Sequence, residues 1–133
     1  MAKKALVVSD EEVIRKSLRS NLTDGGYEIR EASDGGQALE QLSNEECDFI
    51  ILDILTSNRD RWQVLKEMKS NPIMKDKPVI VLTDTNEDSD MFKGYELGAS
   101  YYIAKPFTKA QLLHGIKLMF EENRESLPVG RHE

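Results

Sequence analysis

The chain has 133 residues, 39% of them hydrophobic and 32% charged, with a formal net charge of −6, which suits one domain with a real core and leaves no room for a second. The acidic balance argues against direct nucleic-acid binding, because phosphate contacts need clustered Lys and Arg. Cys47 is the only cysteine, so an internal disulfide or a cysteine metal cluster is excluded. His114 and His132 are too few and too far apart for a zinc site. The apolar run after Lys3 and Lys4, Ala5 to Val8, is too short for a signal peptide or a membrane span, so a cytoplasmic protein is expected.

Ala5 to Val8 is the first short apolar run, and Ser9, Asp10, Glu11 and Glu12 follow at once. Ser9 or Asp10 is expected to cap a helix whose acidic first turn suits the macrodipole. Val13, Ile14, Leu18 and Leu22 are expected on one face of that helix, which Asp24, Gly25 and Gly26 end. Tyr27 and Ile29 alternate with Glu28 and Arg30, the pattern of a second strand nearer a sheet edge. Asp34, Gly35 and Gly36 turn the chain into a helix carrying Ala38, Leu39 and Leu42.

The central stretch runs Asp48, Phe49, Ile50, Ile51, Leu52, Asp53: four apolar residues between two carboxylates. Such a run suits a strand buried on both faces of a parallel sheet. A third helix is expected with Asp60 and Gln63 as a capping box and Trp62, Val64, Leu65 and Met68 as its apolar positions, closed by Pro72. Pro78 to Leu82 reads as the fourth strand, with Thr83 and Asp84 at its end. A modest fourth helix is expected around Met91, Phe92 and Tyr95, stopped near Gly98. Tyr101 to Ile103 forms the fifth strand and ends at Ala104, Lys105 and Pro106. Thr108 and Gln111 form a second capping box, and Leu112, Leu113, Ile116, Met119 and Phe120 recur at helical spacing in the last helix. From about Glu121 the pattern fades, so the domain is expected over 1–122 with 123–133 as tail or linker.

Five strands alternating with five helices make a doubly wound α/β domain with a parallel sheet. Ser9 and Asp10, Asp53, Thr83 and Lys105 then each end a strand and gather at one rim, where ligands collect in open α/β sheets. Asp53 is there a candidate nucleophile or metal ligand; the plainer alternative is a carboxylate that solvates a strand end. Two carboxylates left close together repel, and a divalent cation or the Lys105 ammonium relieves that. Oxygen-only ligands favour Mg²⁺.

From about Lys4 to Phe120 the chain resembles the receiver domain of two-component response regulators. The resemblance rests on the acidic cluster after the first strand, Asp53 within Ile51 to Ile54, Leu82 with Thr83, Gly98 with Ala99, and Lys105, Pro106, Phe107. It implies a flavodoxin-like sheet of order 2-1-3-4-5 and a signalling domain rather than an enzyme. Asp53 is then the acceptor of a phosphoryl group from a sensor histidine kinase or phosphotransfer protein, with Mg²⁺ held by Asp10, Asp53 and the Leu55 carbonyl. Lys105 is implied to pair with a phosphoryl oxygen, Thr83 to hydrogen-bond another, and Tyr102 to turn inward in the active state. The Lys105–Pro106 bond is cis in the family. A downstream protein or an output domain outside this chain receives the signal, without a membrane or nucleic-acid role for the chain itself.

Several positions depart from the family pattern. Ser9 stands where an acidic residue is usual, Asp84 where a small one is usual, Ser57 and Asn58 where Pro and Gly are common, Arg61 in place of Gly, and Ser100 and Tyr101 in place of an acidic pair. Weaker Mg²⁺ binding than in relatives with a full acidic pair is expected from Ser9. A receiver-like interaction module that is never phosphorylated is the alternative function, marked by Ser9 and Asp84. Haloacid-dehalogenase-type phosphatases need a second acid where Leu55 stands, and a flavin phosphate would be repelled by Asp10, Glu11 and Glu12.

Overall fold

The computed structural model describes residues 3–44, 47–54, 59–72, 75–83, 95–96 and 98–125. Strands β1 (Lys4–Val8), β2 (Glu28–Ala32), β3 (Phe49–Ile54), β4 (Val79–Thr83) and β5 (Tyr101–Ala104) form one parallel sheet of order β2-β1-β3-β4-β5. Among the described residues, helices α1 (Glu12–Asp24), α2 (Gly35–Asn44), α3 (Arg59–Ser70) and α4 (Lys109–Glu125) follow β1, β2, β3 and β5. This is the expected doubly wound, flavodoxin-like order. The helix expected over Met91 to Tyr95 lies outside the described residues except at Tyr95, as do the side chains of Leu42, Trp62 and Val64.

The unbroken apolar runs follow from the pleat. Successive strand residues point to opposite faces, so β3 places Ile50 and Leu52 against Ala38 of α2 and Leu65 and Met68 of α3. It places Phe49 and Ile51 against Leu18 and Leu22 of α1 and Leu112, Ile116 and Met119 of α4. Both faces are covered, which suits the apolar run Phe49 to Leu52; the polar residue of β3, Asp53, comes only after it, toward the strand's carboxyl end. Each fully buried Leu, Ile or Phe contributes about 1.5–3 kcal/mol relative to an exposed one. Among the described residues β2 pairs only with β1, and it alternates exposed with partly buried positions until Ala32, as an edge strand does.

Helix ends follow their capping chemistry, with three departures. Thr108 Oγ1 accepts from the Gln111 N–H at 3.0 Å and Gln111 Oε1 accepts from the Thr108 N–H at 2.8 Å, the reciprocal capping box read from the sequence. Asp34 accepts the Gln37 N–H at 2.8 Å ahead of α2. At α1 the N-cap is Glu11, with no side-chain cap bond; neither Ser9 nor Asp10 takes that place, and the Ser9 hydroxyl accepts the N–H of Glu11 itself rather than one from the first helical turn. Val13 is 77% exposed, since Ile14, Leu18 and Leu22 already define the buried stripe and a residue one step before it is turned about 100° away. α3 begins at Arg59, so Asp60 lies inside the helix and Gln63 donates to Glu67 instead at 3.3 Å. α4 runs to Glu125, beyond the point near Glu121 where its apolar pattern fades.

Turn geometry also closes the amino end of the sheet. Gly98 has φ +112°, and a Cβ there would stand 2.6 Å from Lys69 Cγ. The half-buried Lys69 is not free to yield, because its ammonium donates to the carbonyls of Lys75 at 3.1 Å and Lys77 at 2.8 Å. Burial holds its pKa below the ordinary lysine value, with Asp76 opposing. Gly98→Ala is therefore expected to lower stability by roughly 1–3 kcal/mol. Urea denaturation should show a lower midpoint with unchanged slope; an unchanged midpoint would show that the turn relaxes around the methyl group.

Candidate functional site

The strand register builds the rim. Val8 pairs with Leu52, which sets Ser9 beside Asp53, and Ile54 pairs with Thr83. Thr83 pairs with Ala104, and the next residue, Lys105, donates its N–H to the Thr83 carbonyl at 2.7 Å. Among the described residues the buried polar side chains are Ser9, Asp53 and Thr83, each 0% exposed. All three sit at this one edge.

Burying an ionised carboxylate is costly unless it is paired and hydrogen-bonded. Asp53 meets both conditions: Lys105 Nζ lies 2.6 Å from Oδ1, and the Ser9 hydroxyl donates to Oδ2 at 2.6 Å. Lys105 is itself nearly buried, with 9% of its side chain exposed, so water screens the pair little. Removing one partner of such a pair typically costs about 3–5 kcal/mol. Thr83 lies at the end of β4, and Tyr102 is buried on β5 with its ring 5.7 Å from that of Tyr95. The Lys105–Pro106 peptide bond is cis.

Ser9 is fixed from several directions. Its N–H donates to the Ala32 carbonyl at 3.0 Å, its hydroxyl oxygen accepts the Glu11 N–H at 3.1 Å, and its carbonyl accepts from Arg15 Nη1 at 2.5 Å. Arg15 also lies 3.5 Å from Glu31 of β2, which Arg19 engages at 2.6 Å. The hydrogen bond from Arg19, opposed by partial burial and aided by the charges of both arginines, holds the Glu31 carboxyl below the usual carboxylate range.

Among the described residues no three His, Cys, Asp or Glu side chains cluster as a closed metal cage. The hard oxygen donors at the rim are Asp53 and Asp10, which is exposed and follows Ser9 directly. An open site with one or two carboxylates and several waters is what Mg²⁺ takes, so these donors fit that ion rather than zinc. Leu55, the expected carbonyl ligand, and Asp84 lie outside the described residues.

Residues 5–117 match the response regulator receiver domain family. The chain belongs to that family. It is 36% identical over 128 residues to the alkaline phosphatase synthesis transcriptional regulatory protein PhoP of Bacillus subtilis (strain 168), covering 96% of this chain and 52% of that protein. The receiver chain thus spans about half the length of this curated relative. Among solved structures it is similar to the chemotaxis response regulator CheY4 of Vibrio cholerae, with a TM-score of 0.83, 28% identity, and 90% and 99% of the two chains covered. It is similar also to the phosphorylated cyanobacterial phytochrome response regulator RcpA, with a TM-score of 0.73, 30% identity, and 92% and 94% covered.

The receiver fold thus brings Asp53 and Lys105 into direct contact, with Thr83 at the next strand end. Ser9, expected only as a departure from an acidic position, is a donor to Asp53, and Arg15 and Glu31, which carry no expected role, join it in the network. The available signal was an arginine six residues after Ser9 on α1 and a glutamate on the strand beside β1.

Glu31 makes the outer part of this network testable by pH. Its folded pKa is depressed, so the stability it contributes is present above the unfolded value near 4.5 and is lost as pH falls through the lower folded value. Glu31→Gln is expected to lower stability by a constant amount near neutral pH, with the difference from the parent closing as both are acidified below 4.5. Thermal unfolding across a pH series checks this; a difference that persists undiminished in acid would show that the carboxylate charge is not what matters.

Proposed function

We propose that Asp53 accepts a phosphoryl group from a sensor histidine kinase or a phosphotransfer protein, and that the change is relayed through Thr83 and Tyr102. The observation that carries this reading is the fully buried Asp53 at the carboxyl end of β3, 2.6 Å from the Lys105 ammonium, in a chain of the receiver family. A carboxylate oxygen of Asp53 forms the new phosphorus–oxygen bond as the phosphorus–nitrogen bond of the donor's phosphohistidine breaks, and the leaving imidazole nitrogen takes up a proton. Lys105 keeps a fixed positive charge beside the oxygens that gain charge in transfer. Asp10, Asp53 and the Leu55 carbonyl would hold Mg²⁺, which when bound supplies further positive charge for the phosphoryl oxygens.

Thr83 has a hydroxyl at the strand end next to Asp53, and a donor there can bond a phosphoryl oxygen. Tyr102 is already 9% exposed and packed near Tyr95, so the relay on this chain is a repacking of that pair rather than burial from solvent. Recipients of the signal are a downstream protein or an output domain beyond this chain, in keeping with its covering 52% of its regulatory relative.

Incubation with Mg²⁺ and a small acyl phosphate should add one phosphoryl group by intact mass, and Asp53→Asn should abolish the addition. Amide-resonance shifts on adding a phosphoryl mimic should extend from Asp53 to Tyr102 and Tyr95. A parent that takes up nothing from any donor or kinase would leave the unphosphorylated interaction module as the better reading. Shifts confined to the loops around Asp10 and Asp53 would remove the relay.

A further inference from the structure

The Ser9 hydroxyl has one proton to give, and it gives it to Asp53 Oδ2 at 2.6 Å inside a fully buried pair. Its oxygen is oriented by the Glu11 N–H, and the backbone on either side is pinned by Ala32 and Arg15. The hydroxyl is therefore held on the carboxylate by its surroundings as well as by its own bond. With Lys105 on Oδ1, each oxygen of Asp53 has a short, charge-assisted partner before any ion arrives.

We propose that Ser9 is a positioning residue that competes with the divalent cation: it holds the Asp53 carboxylate in place in the metal-free domain, and an ion gains Asp53 only by weakening that hydrogen bond. This rests on the reading of Asp53 as a phosphoacceptor assisted by Mg²⁺, and it adds to that reading a residue the family pattern does not supply. The chemistry of position 9 decides the direction. A carboxylate there would face Asp53 across a buried gap, and two buried like charges need a cation between them. A hydroxyl instead supplies a donor where the ion would supply positive charge. Replacing the acid by Ser9 thus makes metal-free Asp53 comfortable and metal binding less rewarding.

Two variants separate this from a purely structural part for Ser9. Ser9→Ala leaves Oδ2 without its donor, so the metal-free unfolding temperature should fall by roughly 5–10 °C. Mg²⁺ should then bind about tenfold tighter than to the parent by calorimetry and raise the unfolding temperature more. Ser9→Asp should go further in both respects; if it fails to fold without metal, added Mg²⁺ should restore its fold, read by circular dichroism. Ser9→Ala that loses stability but binds Mg²⁺ as the parent does would show packing alone and overturn the proposal. Weaker Mg²⁺ binding by Ser9→Ala would also overturn it, by making the hydroxyl a ligand rather than a competitor, as would a complete lack of response to Mg²⁺ in all three proteins. Phosphoryl uptake is scored separately by intact mass. A parent that is phosphorylated while the Mg²⁺ affinities do not move loses this inference alone, and one that is not phosphorylated while the affinities move as stated loses the acceptor reading alone.

Discussion

A carboxylate buried at the end of a strand that is itself buried on both faces is the constraint on which the rest of this domain turns. Asp53 occupies that place with no exposed surface, so its charge has to be met by groups delivered from other strand ends. Lys105 arrives from β5 and Ser9 from β1, each at 2.6 Å. Two strands on either side of β3 must hold their registers for this to happen, which ties the chemistry at the rim to the packing beneath it. A slip of one residue in β1 would turn its apolar side chains to the wrong face and carry Ser9 away from Asp53.

The two helical layers make that register costly to lose. Alternate residues of β3 are committed to opposite cores, one under α2 and α3 and one under α1 and α4. At the amino end Phe49 meets Tyr27 and Phe120 edge-on, with centroids 5.5 Å and 5.4 Å apart. Its other end is the polar rim that holds Asp53. The strand is therefore anchored by apolar contacts along its length and carries its carboxylate only toward the end where the strand tips gather.

Much of this was legible in the sequence because it depends on local pattern. Runs such as Phe49 to Leu52 and Val79 to Leu82 have only one comfortable home, a sheet covered on both faces, and the Thr108 and Gln111 pair announces a helix start at their own spacing. The rim residues followed once the strands were placed, since each strand end is fixed by where its apolar run stops. What could not be read was contact between distant segments. Ser9 and Asp53 are 44 positions apart, and nothing in the local pattern tells whether a hydroxyl after β1 caps a helix or reaches a carboxylate. The same holds for Arg15, which resembles any surface arginine on α1 until β2 brings Glu31 alongside it. Val13 and the start of α3 differ from expectation for a smaller reason: one residue of helical phase or boundary changes which side chain faces inward.

Reduction of the phosphorylated protein with borohydride, followed by peptide mapping, identifies the acceptor chemically, because an aspartyl phosphate is reduced to homoserine whereas an unmodified carboxylate is not. Homoserine confined to position 53, in the peptide that carries Leu52 and Ile54, is the expected result. Homoserine at position 10 or 84 instead, or phosphorylated protein that yields none, would contradict Asp53 as the residue around which this domain is built.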